Sequence, residues 1–204
     1  MRDKIEDLIN NLKVRNIDAF YFDDIQQCSD SLLKLIPNHC SVGIGNSQTL
    51  IKMNISKLLL DRGNIVFDKI MAKDKYEITD LKKKSLLADY YITGTNAISI
   101  EGQLVNIDHS GNRVAAMMYG PEKVIVIVGT NKIVGSLDDA IKRARNIAAP
   151  ANAKRAGLNP PCVSVEGCVD CRSSDRACNN LVIIEGQNVN GRMKVFIINE
   201  SLGY

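Results

Sequence analysis

Tryptophan is absent from this 204-residue sequence, and aromatic residues make up only 5% of it. A surface for stacking nucleic-acid bases is therefore not expected, and a formal charge of +3 without a long block of one sign offers no electrostatic stripe for a phosphate backbone. No apolar stretch approaches the roughly eighteen residues of a membrane span. The opening Met1-Arg2-Asp3-Lys4 carries no apolar signal segment, so a soluble, cytoplasmic protein is expected, with neither nucleic acid nor membrane as partner. Internal repeats and low-complexity tracts are missing too. What is present, 45% hydrophobic residues in a chain of this length, can bury one substantial core, and a single domain over 1–204 is expected.

The hydrophobic pattern alternates between helix and strand periods. Ile5, Leu8, Ile9 and Leu12 repeat at helical spacing. Strands are expected at Ala19–Phe22, Cys40–Gly45, Asn64–Phe67 and Ala88–Thr93, with helices between them: one stopping before Pro37, one holding Leu50, Ile51, Leu58 and Leu59, and a charged one near 74–88. Val124–Val128 is apolar at every position, which fits a strand covered on both faces by crossover helices. Ser136 with Asp138 and Asp139 starts another helix, which Pro150 is expected to kink or end. Leu181–Ile184 and Lys194–Ile198 read as a late hairpin around the Gly186–Gly191 turn. The expected architecture is a three-layer α/β domain with a mostly parallel sheet and helices on both faces, plus that hairpin and a cysteine-rich loop at 157–180.

The loop carries Cys162, Cys168, Cys171 and Cys178 in a C-x5-C-x2-C-x6-C array. Two residues between thiolates let both sulfurs reach one ion, so the array reads as a ligand set for zinc or an iron–sulfur cluster. Disulfides and unrelated surface thiols are the alternatives. A reducing cytosol weighs against the first, and the need of a long polar loop for a staple weighs against the second. Arg172 and Arg176 lie among the sulfurs, where positive charge favours thiolate. Cys28 and Cys40 border apolar segments and read as small buried hydrophobes.

In open α/β sheets ligands sit beyond the carboxyl ends of strands, which directs attention to the loops after Ile44, Phe67, Thr93 and Val128. Gly43, Gly45, Asn46, Ser47 and Thr49 combine glycines and small polar groups at a strand-to-helix turn, either an anion cradle or a plain turn. The stretch from Thr93 to Arg113 gathers most of the convergent polar groups, among them Thr95, Asn96, Asn106 and Arg113. Within it Glu101 and Asp108 are candidate acid and base, and His109 a candidate proton carrier, although Asp108–Asn112 is also ordinary turn chemistry. The basic group Lys142, Arg143, Arg145, Lys154 and Arg155 reads as a solvated helix face or as a contact for an anion or an acidic partner.

The ordered blocks Val42–Leu50, Thr93–Ala97, Glu101–Asp108, Gly111–Ala115, Gly120–Val124, Asn146–Pro150 and Asn152–Arg155 resemble the LUD-domain family of lactate utilisation proteins, also called DUF162. That family in turn resembles the NagB/RpiA/CoA-transferase-like superfamily, whose sheet holds phosphosugars or acyl-CoA-type ligands at the strand–Gly–helix turn. The resemblance implies a ligand-holding role for Gly43, Gly45, Ser47 and Thr49, and participation in lactate oxidation with separate iron–sulfur partner proteins. A redox accessory that binds a small anionic metabolite is then the leading expectation. A non-redox isomerase- or transferase-like enzyme using Glu101 or Asp108, and a metabolite sensor, stand beside it, and assembly into a homo-oligomer is left open.

Overall fold

The computed structural model describes residues 2–165 and 167–204. The chain opens with α1 (Arg2–Val14), β1 (Asp18–Phe22), α2 (Ile25–Leu35), β2 (Ser41–Ile44), α3 (Gln48–Lys52), α4 (Ile55–Asp61) and β3 (Ile65–Phe67). The middle holds α5 (Lys75–Ser85), β4 (Tyr90–Gly94), β5 (Ala97–Ser99), β6 (Leu104–Asp108), α6 (Asn112–Met118), β7 (Lys123–Gly129) and β8 (Ile133–Val134). It closes with α7 (Leu137–Arg143), α8 (Ala149–Arg155), β9 (Asn180–Ile184) and β10 (Met193–Ile198). Six strands form one parallel sheet in the order β1-β10-β7-β4-β2-β3. A second sheet of order β8-β5-β6-β9 mixes antiparallel and parallel pairs.

Side-chain alternation along β7 builds both halves of the core. Val124, Val126 and Val128 join Ile5, Leu8 and Leu12 of α1 and Met117 of α6 on one face. Ile125 and Ile127 join Cys28 and Leu32 of α2 and Ile55 and Leu59 of α4 on the other. Helices therefore cover both faces of a mostly parallel sheet, as the unbroken apolar run requires. The small sheet buries Ala97, Val105 and Ile107 beneath Ala140, Ala144 and Ala149.

Three local expectations change. The two late strands are not hairpin partners: β9 pairs with β6, and β10 lies between β1 and β7. Their burial explains the split, because Val195 through Ile198 are all buried and need cover on both sides, whereas β9 is mostly half-exposed and suits a sheet edge. The helix expected over Leu50–Leu59 breaks into α3 and α4 at Asn54, which adopts a left-handed backbone with φ 53°. Pro150 does not end its helix. A π-helical turn at Ala144–Ala148 joins α7 to α8 without a break, and this wider turn stands directly before Pro150 in the first turn of α8.

Candidate functional site

A cavity of about 310 Å³ opens beyond the carboxyl ends of the parallel strands. The turn after β2 contributes Asn46, Ser47 and Gln48, the loop after β3 contributes Lys69, the end of β4 contributes Gly94, Thr95 and Asn96, and the turn after β7 contributes Lys132. Asp108, His109 and Arg113 enter from the small sheet and α6, while Lys82, Asn152 and Arg155 come from α5 and α8. Among the described residues, five basic side chains, Lys69, Lys82, Arg113, Lys132 and Arg155, thus face one carboxylate, Asp108.

Even that carboxylate is engaged. Arg113 Nε stands 3.3 Å from Asp108 Oδ2, and Asp108 Oδ1 accepts from the Gly111 backbone N–H at 2.9 Å. Arg113 Nη1 donates to Asn106 Oδ1 at 2.7 Å and to the Gly94 carbonyl at 3.0 Å. Its Nη2 donates to the Ile107 carbonyl at 2.9 Å and to Asn96 Oδ1 at 3.2 Å. Every guanidinium nitrogen is in use, so Arg113 ties the ends of β4 and β6 together and offers the cavity charge rather than free donors.

Lys132 differs. It is 3% exposed, and its ammonium donates to the Thr95 carbonyl at 3.3 Å. Among the described residues no carboxylate lies within 4.0 Å of it. Burial, then the charges of Arg143 and Arg113, lower its amine to about 8. Lys69 is pushed down as well, by burial and then by Lys82 and Arg155. Near these cations, Asn46 Oδ1, Thr49 Oγ1 and the Tyr204 hydroxyl are buried without a hydrogen-bond partner among the described residues. Orphaned polar groups of this kind call for a ligand or ordered water.

Of the residues picked out in the sequence, Asn46, Ser47, Thr95, Asn96, Asp108, His109 and Arg113 meet at the cavity. Asn106 is fully buried and reaches the site only through Arg113. Thr49 lies beneath the wall, where an added Cβ on Gly203 would come within 3.1 Å of its hydroxyl. Gly43 and Gly45 serve packing: a side chain on Gly43 would meet Tyr91 at 2.8 Å, and one on Gly45 would enter the Thr93 side chain. Glu101 stands apart. It is exposed at the far end of the β5–β6 connection, where its carboxylate accepts from Gln103 at 3.2 Å, so Asp108 is the one of the two carboxylates at the cavity.

The cysteine loop runs from α8 to β9 and is pinned at both ends. The Cys168 backbone N–H donates to Asn146 Oδ1 in the π-helical turn at 2.8 Å, next to Ala148 and Ala149 of the cavity wall. Cys178 packs against the alanine-rich small core. Arg176 braces the loop by donating to the carbonyls of Cys171 at 2.8 Å and Cys178 at 3.2 Å. Among the described residues no group of three or more His, Cys, Asp or Glu side chains is arranged to hold a metal ion. The Cys162 thiol is pushed up by burial and then by the charges of Cys171, Cys178 and Cys168. Cys168 Sγ also accepts the Asp170 N–H at 3.4 Å. Cys28 is fully buried and its thiol is pushed up to about 12, consistent with a core residue, while Cys40 Sγ donates to the Pro37 carbonyl at 3.1 Å.

The family model of the LUD domain matches residues 5–198. The chain belongs to the LUD domain family. A DUF162 family protein from Deinococcus radiodurans shares its fold, with 14% identity, 97% of this chain and 96% of that chain covered, and a TM-score of 0.54. Ribose 5-phosphate isomerase A from Neisseria gonorrhoeae is a more distant likeness, with 16% identity, coverage of 55% and 54%, and a TM-score of 0.35. So is eIF2B delta from Chaetomium thermophilum, with 16% identity, coverage of 68% and 55%, and a TM-score of 0.38. Comparison with curated proteins finds no match.

Within this LUD domain, reading by motif passes over the lysines that make the cavity basic. Lys69 and Lys132 do lie in the loops after Phe67 and Val128, two of the strand ends where a ligand is expected. A single lysine in a polar loop carries no further signal, because its burial depends on the opposing elements. The helical basic group divides similarly: Arg155 lines the cavity, and Arg143 Nε donates to the Asn131 carbonyl at 3.2 Å behind Lys132.

Proposed function

We propose that this LUD-domain protein binds a small anionic metabolite of organic-acid metabolism in the basic cavity, lactate utilisation being the role associated with the family. The observation that supports this most directly is the excess, among the described residues, of five basic side chains over a single, already paired carboxylate, with Lys132 buried and lacking a counter-ion among them. An anion supplies the missing charge and can satisfy the orphaned oxygens through its own hydroxyls or bridging water. Calorimetric titration with inorganic phosphate, lactate and pyruvate tests it. Saturable binding that weakens with salt and is reduced in Lys69→Ala supports the reading, and absence of binding for all three overturns it.

We further propose that Cys162, Cys168, Cys171 and Cys178 hold a metal centre, so that the protein acts as a redox accessory. The donor chemistry fits zinc or an iron–sulfur cluster, and a loop braced by Arg176 can close its sulfurs on the ion as it binds. An iron–sulfur cluster would supply one-electron transfer beside the cavity, whereas zinc would supply a staple. Metal and sulfide analysis after anaerobic purification decides. Iron with sulfide supports electron transfer, one zinc supports scaffolding, and neither removes the centre.

A second reading, a non-redox enzyme using Asp108, is supported by the placement of Asp108 and His109 together at the cavity. It expects turnover to survive Cys171→Ser and to collapse in Asp108→Asn.

A further inference from the structure

We infer that Lys132 is a nucleophilic amine that condenses with the carbonyl group of an anionic aldehyde or ketone bound in the cavity, forming an imine. This rests on the anion-binding reading above and names the substrate class for the same site.

The geometry sets Lys132 apart from the other cations. Arg113 has its nitrogens committed to five neighbouring residues, and Arg155 is exposed on α8. Lys132 ends a short 3-10 turn, Thr130–Lys132, directly after the carboxyl end of β7, and its side chain is buried while still lining the cavity. A lysine kept only to fasten that turn would be expected to pair with a carboxylate, yet among the described residues Nζ has the Thr95 carbonyl alone. Room is kept beside the amine. A Cβ built on Gly203 would lie 3.2 Å from Nζ and 3.1 Å from Thr49 Oγ1, so the glycine leaves the ammonium and a buried, unpartnered hydroxyl facing the same space.

The electrostatics agree with that placement. Burial, Arg143 and Arg113 all favour the neutral amine, the form with a lone pair to share. The surrounding cations that favour it also recruit an anionic partner. In the step itself the nitrogen lone pair forms the C–N bond as the carbonyl π bond opens. Both hydrogens of the neutral amine then leave with the carbonyl oxygen as water, and the C=N bond closes. No electrons are gained or lost, and no co-reactant is required.

Borohydride trapping tests this on the wild-type protein. The chain is incubated with pyruvate, glyoxylate or glycolaldehyde phosphate, reduced, and mapped by peptide mass spectrometry, with Lys132→Arg and Lys132→Met as controls checked for folding by circular dichroism. The expected result is one reduced adduct per chain on Lys132 with at least one of the probes, diminished by excess inorganic phosphate. In both variants it falls to the background of surface lysines. Adducts spread over surface lysines, or none with any probe, overturn the inference. Calorimetry on the same samples separates the two readings: phosphate, lactate or pyruvate bound without an adduct leaves the anion site standing and makes Lys132 a charge only, and no binding of any of the three together with no adduct removes both.

Discussion

Asn179 donates from its side-chain amide to the main-chain carbonyl of His109 at 3.1 Å, which ties the exit of the cysteine loop to the rim of the basic cavity. The next residue repeats the link, since Asn180 donates to the Asp108 carbonyl at 3.3 Å and pairs with it in the β6–β9 ladder. Ordering the loop should therefore order the rim. Metal loading of the reduced protein is expected to slow amide hydrogen exchange over His109–Asn112, and Asn179→Ala to weaken that response without altering metal content. Equal exchange in loaded and stripped protein would mean that the contact transmits nothing.

Arg113→Ala is expected to destabilise the fold by about 3–5 kcal/mol, because it strands the Asp108 carboxylate and the buried Asn106 amide together. Lysine should recover little of this, since one ammonium cannot reproduce the planar fork between β4 and β6. Urea midpoints for the two variants provide the measurement. A loss below about 1 kcal/mol in Arg113→Ala would remove Arg113 as the tie between the strands.

Lys132→Met should make the protein more stable at pH 7. The amine is lowered from 10.5 to about 8 in the folded chain, a penalty worth about 3 kcal/mol at neutral pH, against about 1 kcal/mol for the lost hydrogen bond to Thr95. The folded state sheds this proton near pH 8 while the unfolded chain keeps it to about 10.5, so unfolded molecules bind more protons across that window. Wild-type stability consequently rises with pH from 8 to 10.5, and the penalty is in full force below 8. The advantage of Lys132→Met should shrink across the same interval in urea unfolding, and an advantage constant from pH 7 to 10.5 would contradict the assignment to Lys132.

The six cysteines should separate by substitution. Cys28→Ser places a hydroxyl in a fully buried site and is expected to cost about 1–3 kcal/mol while leaving metal content unchanged. Cys171→Ser should do the reverse, abolishing metal binding with the far-ultraviolet spectrum of the six-stranded sheet intact. Metal analysis alongside thermal unfolding tests both, and full metal retention in Cys171→Ser would take that sulfur out of the ligand set.

Much of the fold is legible along the chain because it depends on short-range periodicity. The unbroken apolar run in β7 demands cover on both faces whatever its partners, and the Asp24, Asp74 and Ser136 caps start their helices through local side-chain bonds at Gln27, Glu77 and Asp139. Strand ends likewise mark where a ligand belongs, and four of them do converge on the cavity. Partnership is another matter. Nothing local in Leu181–Ile184 and Lys194–Ile198 tells that they part to different sheets, since the choice rests on which face the rest of the chain leaves open.

The alternation of helix and strand, the covered central strand and the four-cysteine array are written in the residue order, because each follows from spacing within a few residues. Long-range packing sets the rest: Arg113 has no donor to spare, Glu101 lies away from the cavity, and Lys132 is buried with no carboxylate beside it among the described residues. The physical reason is desolvation: whether a charge meets water, a partner or neither is set by elements that approach from distant parts of the chain.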